Sequence, residues 1–266
     1  MAQRFLTKEQ MIARFEEIHK EGWIKSLRPL NSGGIGNTID ALLGQPENNL
    51  PVADTAQWEL KSHRVGSASL LTLFHLEPHP ARSSVVSRVL LPKYGWPDQK
   101  GRVGEFSFRQ TLRTTQPTDR GFGILVDNEN ATLRVLFDVR LVSEHHRAWL
   151  ETVRARAGVG RLSPEPYWTH QQVDIQASTK LQNVFYIEAH TRRVNREEFF
   201  AIARVQVLQG FEIRQFIGAL EQGAVRIDFD ARTGHNHGTK FRIQQDWFPS
   251  MYRYMETPLG PFAYPG

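Results

Sequence analysis

The sequence predicts a protein of the α/β (α+β) class. An amphipathic helical pattern near the N-terminus and several later segments of alternating polar and apolar residues support this class. The composition, 40% hydrophobic and 23% charged, is ordinary for a globular protein. A length of 266 residues suits one large domain, or a domain with a smaller lobe.

Local patterns predict each element in turn. A helix is expected over residues 7–22, because Thr7 and Gln10 can form a capping box and Gly22 suits the C-terminal cap. The segment 196–208 is compatible with either a helix or a strand. Further helices are predicted over residues 37–43, 142–156 and 211–220. Strands are predicted over residues 58–64, 70–76, 106–112, 123–126, 131–139, 183–190, 225–230 and 241–243.

Charge and cysteine content restrict the function. The 33 basic and 28 acidic residues give a net charge of +5 and a pI near 9.6, which favours a polyanionic partner without requiring one. The absence of cysteine excludes disulfides and thiolate zinc sites. No signal-peptide core and no run of about 18 apolar residues is present, so we expect a soluble, intracellular protein with no membrane partner.

The stretch DTAQWELKSHR places two acids and a lysine close together. Glu59 and Lys61 are two residues apart on a predicted strand, so their side chains share a face, and Asp54 precedes them in a loop that can bring its carboxylate alongside. Two converging carboxylates form a hard oxygen site suited to Mg²⁺. Lys61 can orient or help deprotonate a water, or hold a phosphate. The alternative is a surface strand with a simple Glu–Lys pair.

The segment before this strand adds a third acid. Asp40 lies on the predicted short helix and can reach the same point. Gly33, Gly34 and Gly36 lie in the loop that leads into that helix, where small residues can let the backbone approach a phosphate. A flexible turn and helix start is the plainer interpretation of each glycine.

A second group of polar residues occupies the segment VRIDFDARTGHNHGTKFRI. Arginine binds guanine through O6 and N7, histidine can donate to the same edge, and aspartate can accept from cytosine N4. A His-x-His zinc site and an ordinary solvated loop are the alternatives. The candidate base-contacting residues are Arg226, Asp230, Arg232, His235, His237, Lys240 and Arg242.

Other basic residues are weaker candidates. Lys180, just before a predicted strand, is a candidate neighbour of an active site or phosphate, although an exposed lysine at a strand edge is the plainer interpretation. Arg109 and Arg113 can extend a phosphate track, but each is expected to be a solvated surface charge.

The sequence resembles the MutH-like nuclease fold in five segments, in this order: GGIGNTIDALLG, ENNLPVADTAQWELKSHR, SLLTLF, KLQNVFYIEAH and IDFDARTGHNHGTKFRI. Within that fold it is similar to the MvaI–BcnI type of restriction endonucleases. The resemblance runs from Gly33 to about Ile243 and implies a PD-(D/E)xK core, a mixed β-sheet flanked by helices. It also implies a single nuclease domain, residues 1–266, whose catalytic and recognition lobes surround a DNA cleft.

The resemblance assigns roles to the acidic group. It implies that Asp54 and Glu59 bind Mg²⁺ and that Lys61 is the catalytic lysine. Asp40 stands where MutH-like proteins usually carry glutamate, so its catalytic role need not include direct contact with the metal. His235 and His237 match the family's base-reading histidines, with Arg226 and Arg232 in the same segment.

The implied activity is that of a type II restriction endonuclease. Such an enzyme hydrolyses double-stranded DNA with Mg²⁺, leaves 5′-phosphates and reads a short GC-rich site of the CC-N-GG kind. We expect a cytoplasmic monomer in a cell that also holds a cognate DNA methyltransferase. Two alternatives are a MutH-like repair endonuclease that nicks one strand and a DNA-binding module without catalytic activity.

Overall fold

Two compact units make up the chain in the computed structural model, which describes residues 6–29, 31, 33–44, 58–80, 84–158 and 162–264. The first unit comprises Met1–Leu71, Ala177–Ile213 and Gln245–Gly266. The second comprises Thr72–Gln176 and Arg214–Gln244.

Helices and strands alternate irregularly along the chain. The helices are α1 (Lys8–Lys20), α2 (Gly34–Leu42), α3 (Leu91–Tyr94), α4 (Arg147–Ala157), α5 (His170–Leu181) and α6 (Ile213–Glu221). The strands are β1 (Ile24–Lys25), β2 (Glu59–Arg64), β3 (Leu71–His75), β4 (Trp96–Pro97), β5 (Phe106–Leu112), β6 (Arg120–Asp127), β7 (Thr132–Val142), β8 (Tyr167–Thr169), β9 (Asn183–Val194), β10 (Glu197–Phe211), β11 (Val225–Arg232), β12 (His235–Asn236), β13 (Lys240–Ile243) and β14 (Tyr252–Leu259).

The first unit is built on a mixed five-stranded sheet. Its main order is β1-β10-β9-β2, and β14 also pairs with β10. β9 and β10 form a long antiparallel hairpin, whereas β2 lies parallel to β9. One face of this sheet is covered by α1 and α2, whose apolar side chains form a core with residues of β2, β9 and β10. Phe185 lies in this core, with its ring centroid 5.3 Å from that of Phe15 and 4.8 Å from that of Trp58.

The second unit contains the other two sheets. One has the order β3-β13-β11-β5-β4, with β12 paired to β11, and the other has the order β6-β7-β8. Aromatic rings dominate its core: the Phe108 centroid lies 5.3 Å from that of Phe122 and 5.5 Å from that of Phe229. Trp168 is fully buried and donates its indole N–H to the carbonyl of Leu76 at 3.0 Å.

Most of the predicted elements are confirmed. Thr7 caps α1 through the predicted capping box with Gln10. β2 and β5 occupy the segments expected for strands, and the segment 196–208 is a strand within β10. The helix predicted over 142–156 was wrong at its start, because Val142 is the last residue of β7 and α4 begins at Arg147.

The sequence did not predict the short elements β1, α3, β4, β8 and β12, or the two longer elements α5 and β14. α5 buries only Val173, Ala177 and Leu181 completely, one residue per turn, so its apolar stripe is too narrow to recognise. β14 is exposed at most positions, so no alternating pattern marks it. Within the described ranges, no helix has both the length and the apolar character needed to cross a membrane.

Replacing the core residue Phe185 tests this packing. We expect Phe185→Ala to lower the free energy of unfolding by about 3–5 kcal/mol, because the cavity would lie among rings that cannot collapse fully. Chemical denaturation measures this loss. Leu27→Ala, at a 64% exposed position of the same unit, should change it by less than about 0.5 kcal/mol. Equal losses in the two variants would contradict this description of the core.

Candidate functional site

The register of β2 determines which of its side chains lie together. β2 pairs with β9 so that Glu59 is opposite Val184, Lys61 opposite Tyr186 and His63 opposite Glu188. Because side chains alternate along a strand, Glu59, Lys61 and His63 share one face. The opposite face of β2 carries Leu60, which belongs to the core beneath α1 and α2.

Glu59 is a buried carboxylate held by two lysines. Its exposure is only 3%. Lys61 donates from Nζ to Oε1 at 2.7 Å, and Nζ of Lys180 lies 3.5 Å from Oε2. Oε2 is buried and has no hydrogen-bond partner among the described residues. A buried ionised carboxylate is stable only with such charge partners, so the two lysines are integral to the cluster.

Tyr252 lies near the same carboxylate. Burial raises the pKa of its phenol well above the usual range, and the negative charge of Glu59 raises it further. The phenol is therefore neutral at physiological pH and can act as a hydrogen-bond donor. Its hydroxyl is buried without a hydrogen-bond partner in the described part of the chain.

A second ion-pair network continues along this face. Nε2 of His63 lies 3.3 Å from Oε1 of Glu188, and Arg204 donates two hydrogen bonds to the same carboxylate at 2.7 and 2.5 Å. The hydrogen bond from His63, followed by that from Arg204, lowers the pKa of Glu188 to about 2 despite burial. The imidazole also stacks on Tyr186, with centroids 4.7 Å apart and planes inclined by 25°.

The structure describes only one of the other two acids predicted for this site. Asp40 lies in α2, the helix that packs against β2, and its Oδ1 is buried. Asp54 lies outside the described residues. Among the residues that are described, no three His, Asp or Glu side chains form a group that could hold a metal ion.

The position of Lys180 shows that the plainer interpretation of this residue was wrong. It is not an exposed lysine at a strand edge: it lies in the last turn of α5, with a side chain only 14% exposed beside Glu59. The missed helix explains the error, because helical geometry turns the lysine towards β2. The position of Lys180 could have been predicted from the sequence only if α5 had been recognised as a helix.

Gly34 approaches the chain's own backbone. An added Cβ would lie 2.3 Å from the carbonyl oxygen of Arg28 and 2.9 Å from Oγ of Ser26. A side chain at this position would therefore clash, so the start of α2 requires glycine for internal packing. A phosphate contact is not needed to explain this residue.

The second candidate group lies on one face of β11. Arg226 is opposite Arg242 of β13, and Asp228 is opposite Lys240. Asp230 is opposite Arg109 of β5. Since β11 alternates, Arg226, Asp228 and Asp230 share this face.

Ion pairs link these side chains. Asp228 accepts from Arg242 at 2.7 Å, and Asp230 accepts from Lys240 at 2.9 Å and from Arg109 at 3.1 Å. Burial lowers the pKa of Arg226, with the positive charges of Arg113 and Arg242 adding to the effect. The Arg226 Nε is buried and has no hydrogen-bond partner within the described ranges.

The two predicted histidines lie together at the end of this sheet. β12 contains His235, which is opposite Arg232 of β11, and the backbone N–H of His237 donates to the carbonyl of Asp230. Both histidines are exposed, and Nε2 of His235 lies 3.2 Å from Nδ1 of His237. Exposed imidazoles on a short hairpin are accessible to a ligand.

The sequence interpretation missed Asp228 and gave Arg109 little weight. Asp228 has the same alternating position as Asp230, so the period of β11 could have identified it. Arg109 could not be selected in the same way, because its proximity to Asp230 depends on the pairing of distant strands.

Comparison with solved structures defines the class of fold. The structure described as "Restriction endonuclease MvaI-cognate DNA substrate complex" matches with a TM-score of 0.75 at 21% sequence identity, over 96% of this chain and 100% of that chain. Restriction endonuclease MvaI in the absence of DNA matches with a TM-score of 0.54 at 21% identity, over 97% of this chain and 100% of that chain. The mixed sheets and helices therefore fit a PD-(D/E)xK-like nuclease fold.

The family follows from the sequence model. The MvaI/BcnI restriction endonuclease family matches residues 12–252, and the chain belongs to that family. It is therefore a restriction endonuclease, a site-specific deoxyribonuclease, and the resemblance inferred from its motifs is confirmed. A search of curated protein sequences finds no match.

Removing Lys180 tests its place beside Glu59. We expect Lys180→Ala to slow single-turnover DNA cleavage by about 10- to 100-fold, because a buried carboxylate would lose one of its two cationic partners. Lys20→Ala, at an exposed position of α1, removes the same charge away from the cluster and should leave the rate unchanged. Similar rates in both variants would exclude Lys180 from the site.

Proposed function

We propose that the protein is a type II restriction endonuclease that requires Mg²⁺ and cleaves double-stranded DNA to leave 5′-phosphates. The observation that carries this proposal is the buried Glu59 carboxylate, with Lys61 bound to one oxygen and the other oxygen lacking a hydrogen-bond partner among the described residues. A surface Glu–Lys pair would be solvated, whereas here the Glu59 side chain is 4% exposed and that of Lys61 is 14% exposed.

The residues present fit a hard divalent cation. Oε2 of Glu59 is an oxygen donor of the kind that Mg²⁺ prefers. We propose Glu59 and Asp54 as the residues that hold the ion and Asp40 as a further acid of the active site. When bound, Mg²⁺ neutralises charge on the scissile phosphate and lowers the pKa of a bound water.

The chain's own side chains complete the site. Lys61 is proposed to hold a phosphate oxygen or to orient and help deprotonate the attacking water. Lys180 supplies a second ammonium group close to the same carboxylate. The neutral phenol of Tyr252 is a buried hydrogen-bond donor near Glu59. In-line attack by water breaks the bond to the 3′-oxygen, so the products carry a 3′-hydroxyl and a 5′-phosphate.

The charged face of β11 is the proposed base-reading surface. Arginine and aspartate are suited to guanine O6 and N7 and to cytosine N4, respectively, which agrees with a short GC-rich site of the CC-N-GG kind. Asp228 and Arg109 join the residues expected from the sequence, because they form ion pairs with Arg242 and Asp230. The proposed set is therefore Arg109, Arg226, Asp228, Asp230, Arg232, His235, His237, Lys240 and Arg242.

The proposal also covers the protein's partners. The matched MvaI structure is a complex with its cognate DNA substrate, which supports double-stranded DNA as the partner here. We further propose a cytoplasmic monomer with a single nuclease domain, residues 1–266, in which the first unit cuts and the second reads bases. A cognate DNA methyltransferase would protect the same site in the host DNA.

Digestion of a plasmid of known sequence tests the activity. With Mg²⁺ we expect linear product, and sequencing of the ends should give one recurring site with 5′-phosphates. Stable nicked circles would instead favour a strand-nicking enzyme, and no cleavage at all would exclude the proposal.

Lys61→Ala tests the catalytic assignment in the same assay. The cleavage rate should fall by about 10²- to 10⁴-fold, because Lys61 is the group proposed to act on the phosphate or the water. Gel-shift measurements without Mg²⁺ should show that specific DNA binding is largely retained. Lys25→Ala removes an exposed ammonium from the same sheet and should cut normally. Full cleavage by Lys61→Ala would remove Lys61 from the mechanism.

His235→Ala tests base reading. We expect specific binding to weaken by about 1–3 kcal/mol if the imidazole contacts a base edge, with little change in binding to unrelated DNA. Competition gel shifts with the mapped site and a scrambled duplex measure both quantities. His145→Ala, at an exposed position on the second unit, is the matched control. Unchanged site preference in His235→Ala would assign base reading to other residues.

A further inference from the structure

Three arginines form a row across three neighbouring segments of the second unit. Arg226 of β11 is directly opposite Arg242 of β13. On the other side of β11, Ile227 is opposite Leu112, the last residue of β5, so the next position of this antiparallel register brings Arg113 opposite Arg226. All three side chains are half-buried. Arg113, Arg226 and Arg242 are called the arginine row below.

The positive charge of the arginine row is poorly compensated. Within the described ranges, neither Arg113 nor Arg226 forms an ion pair, and Nε of Arg226 is buried without a hydrogen-bond partner. Burial lowers the pKa of Arg226, and the positive charges of Arg113 and Arg242 lower it further, so the three guanidinium groups are close to one another. Like charges at opposite positions of a sheet are destabilising, and a bound anion would remove this repulsion.

The next rows on the same face of β11 are balanced instead. Asp228 is opposite Lys240 on one side and Thr111 on the other, so this row contains one acid and one base. Asp230 is opposite Arg109 and accepts a hydrogen bond from it. The excess positive charge of this part of the face therefore lies in the arginine row, close to the start of β11.

We propose that the arginine row binds a phosphodiester group of the DNA backbone. A phosphodiester carries a negative charge, and its oxygens accept paired hydrogen bonds from the planar guanidinium group. Guanine also accepts from arginine through O6 and N7, but it is uncharged and would leave the repulsion within the row uncompensated. A ligand with a negative charge therefore fits this row better than a base edge does.

This inference rests on the proposed function and refines it. It assigns Arg226 and Arg242 to a contact that positions the duplex, and it adds Arg113 to the DNA-binding residues. Base reading then belongs to the remaining members of the proposed set. Phosphate contacts fix the orientation of a protein on the duplex but carry no sequence information directly, so the two kinds of residue are separable by experiment.

Salt dependence distinguishes a phosphate contact from a base contact. Each neutralised phosphate contributes about −0.9 to the slope of the logarithm of the binding constant against the logarithm of the salt concentration. The probes are a short duplex carrying the site mapped by plasmid digestion and an unrelated duplex of the same length. Fluorescence anisotropy in EDTA gives the Kd of each duplex at several KCl concentrations.

The double variant Arg113→Gln/Arg226→Gln should bind both duplexes about 10- to 100-fold more weakly at low salt, with an unchanged preference for the mapped site. Its salt slope should be shallower by about one. The matched control is Arg147→Gln/Arg154→Gln, which removes the same charge from exposed positions of α4 in the same unit. Both the affinity and the slope of this control should equal those of the wild-type protein.

Neutral methylphosphonate groups, placed at one backbone position at a time, locate the phosphate. At one position the substitution should weaken binding of the wild-type protein and have no further effect on the double variant, because the same contact is already lost. Thermal melting followed by circular dichroism shows whether the double variant is folded. If it melts early, Arg113→Gln alone gives the same comparison, because Arg113 lies beyond the end of β5.

Two results would overturn the inference. Weaker binding of the mapped duplex alone, with an unchanged salt slope, would assign the arginine row to base reading. An unchanged slope together with the same methylphosphonate profile in the wild-type protein and the variant would mean that the row contacts no phosphate. The measurements on the unrelated duplex need no cleavage, so they remain separate from a plasmid digestion that yields no product, which would refute the proposed function itself.

Discussion

Burial of the Glu59 carboxylate is the constraint on which the candidate active site depends. A carboxylate that is almost entirely removed from water is costly unless cations compensate it, and here Lys61 and Lys180 come from two different elements to do so. The alternation of side chains along β2 sets the first partner, since it turns Glu59 and Lys61 to one face. The last turn of α5 supplies the second. Neither lysine is therefore independent of the fold around it.

The two faces of the same sheet carry different residues: one face is apolar and packs against helices, and the other carries the candidate active-site side chains. On one face, α1 and α2 cover apolar residues of β2, β9 and β10, and the ring of Phe185 lies among them. On the other face, the alternating positions carry Glu59, Lys61 and His63, with Glu188 opposite His63 on β9. A shift of one residue in the β2–β9 register would exchange the two faces and bury the charges in the apolar core. The packing of α1 and α2 thus holds the polar row in place.

The sequence predicted Glu59 and Lys61 of this row well and the rest of the site poorly, for a physical reason. The period of two along WELKSHR is a local property, and it identified Glu59 and Lys61 correctly as neighbours on one face. The capping box of α1 and the bounds of β5 are local in the same way. The contacts of Lys180 with Glu59 and of Arg109 with Asp230 join residues 121 apart in the chain, so no local pattern contains them. Asp54 lies outside the described residues, so its predicted place beside Glu59 stays a prediction.

The charged face of β11 differs from the β2 row in how its charges are balanced. Asp228 and Asp230 are already paired with Arg242, Lys240 and Arg109. If this face reads bases, each new hydrogen bond to a base edge must replace or share an ion pair that the free protein already has. A matching base compensates that loss and a wrong base does not, so the wrong site leaves charges without partners. Such an exchange gives discrimination rather than raw affinity, whereas a lysine that contacts phosphate contributes affinity at any sequence.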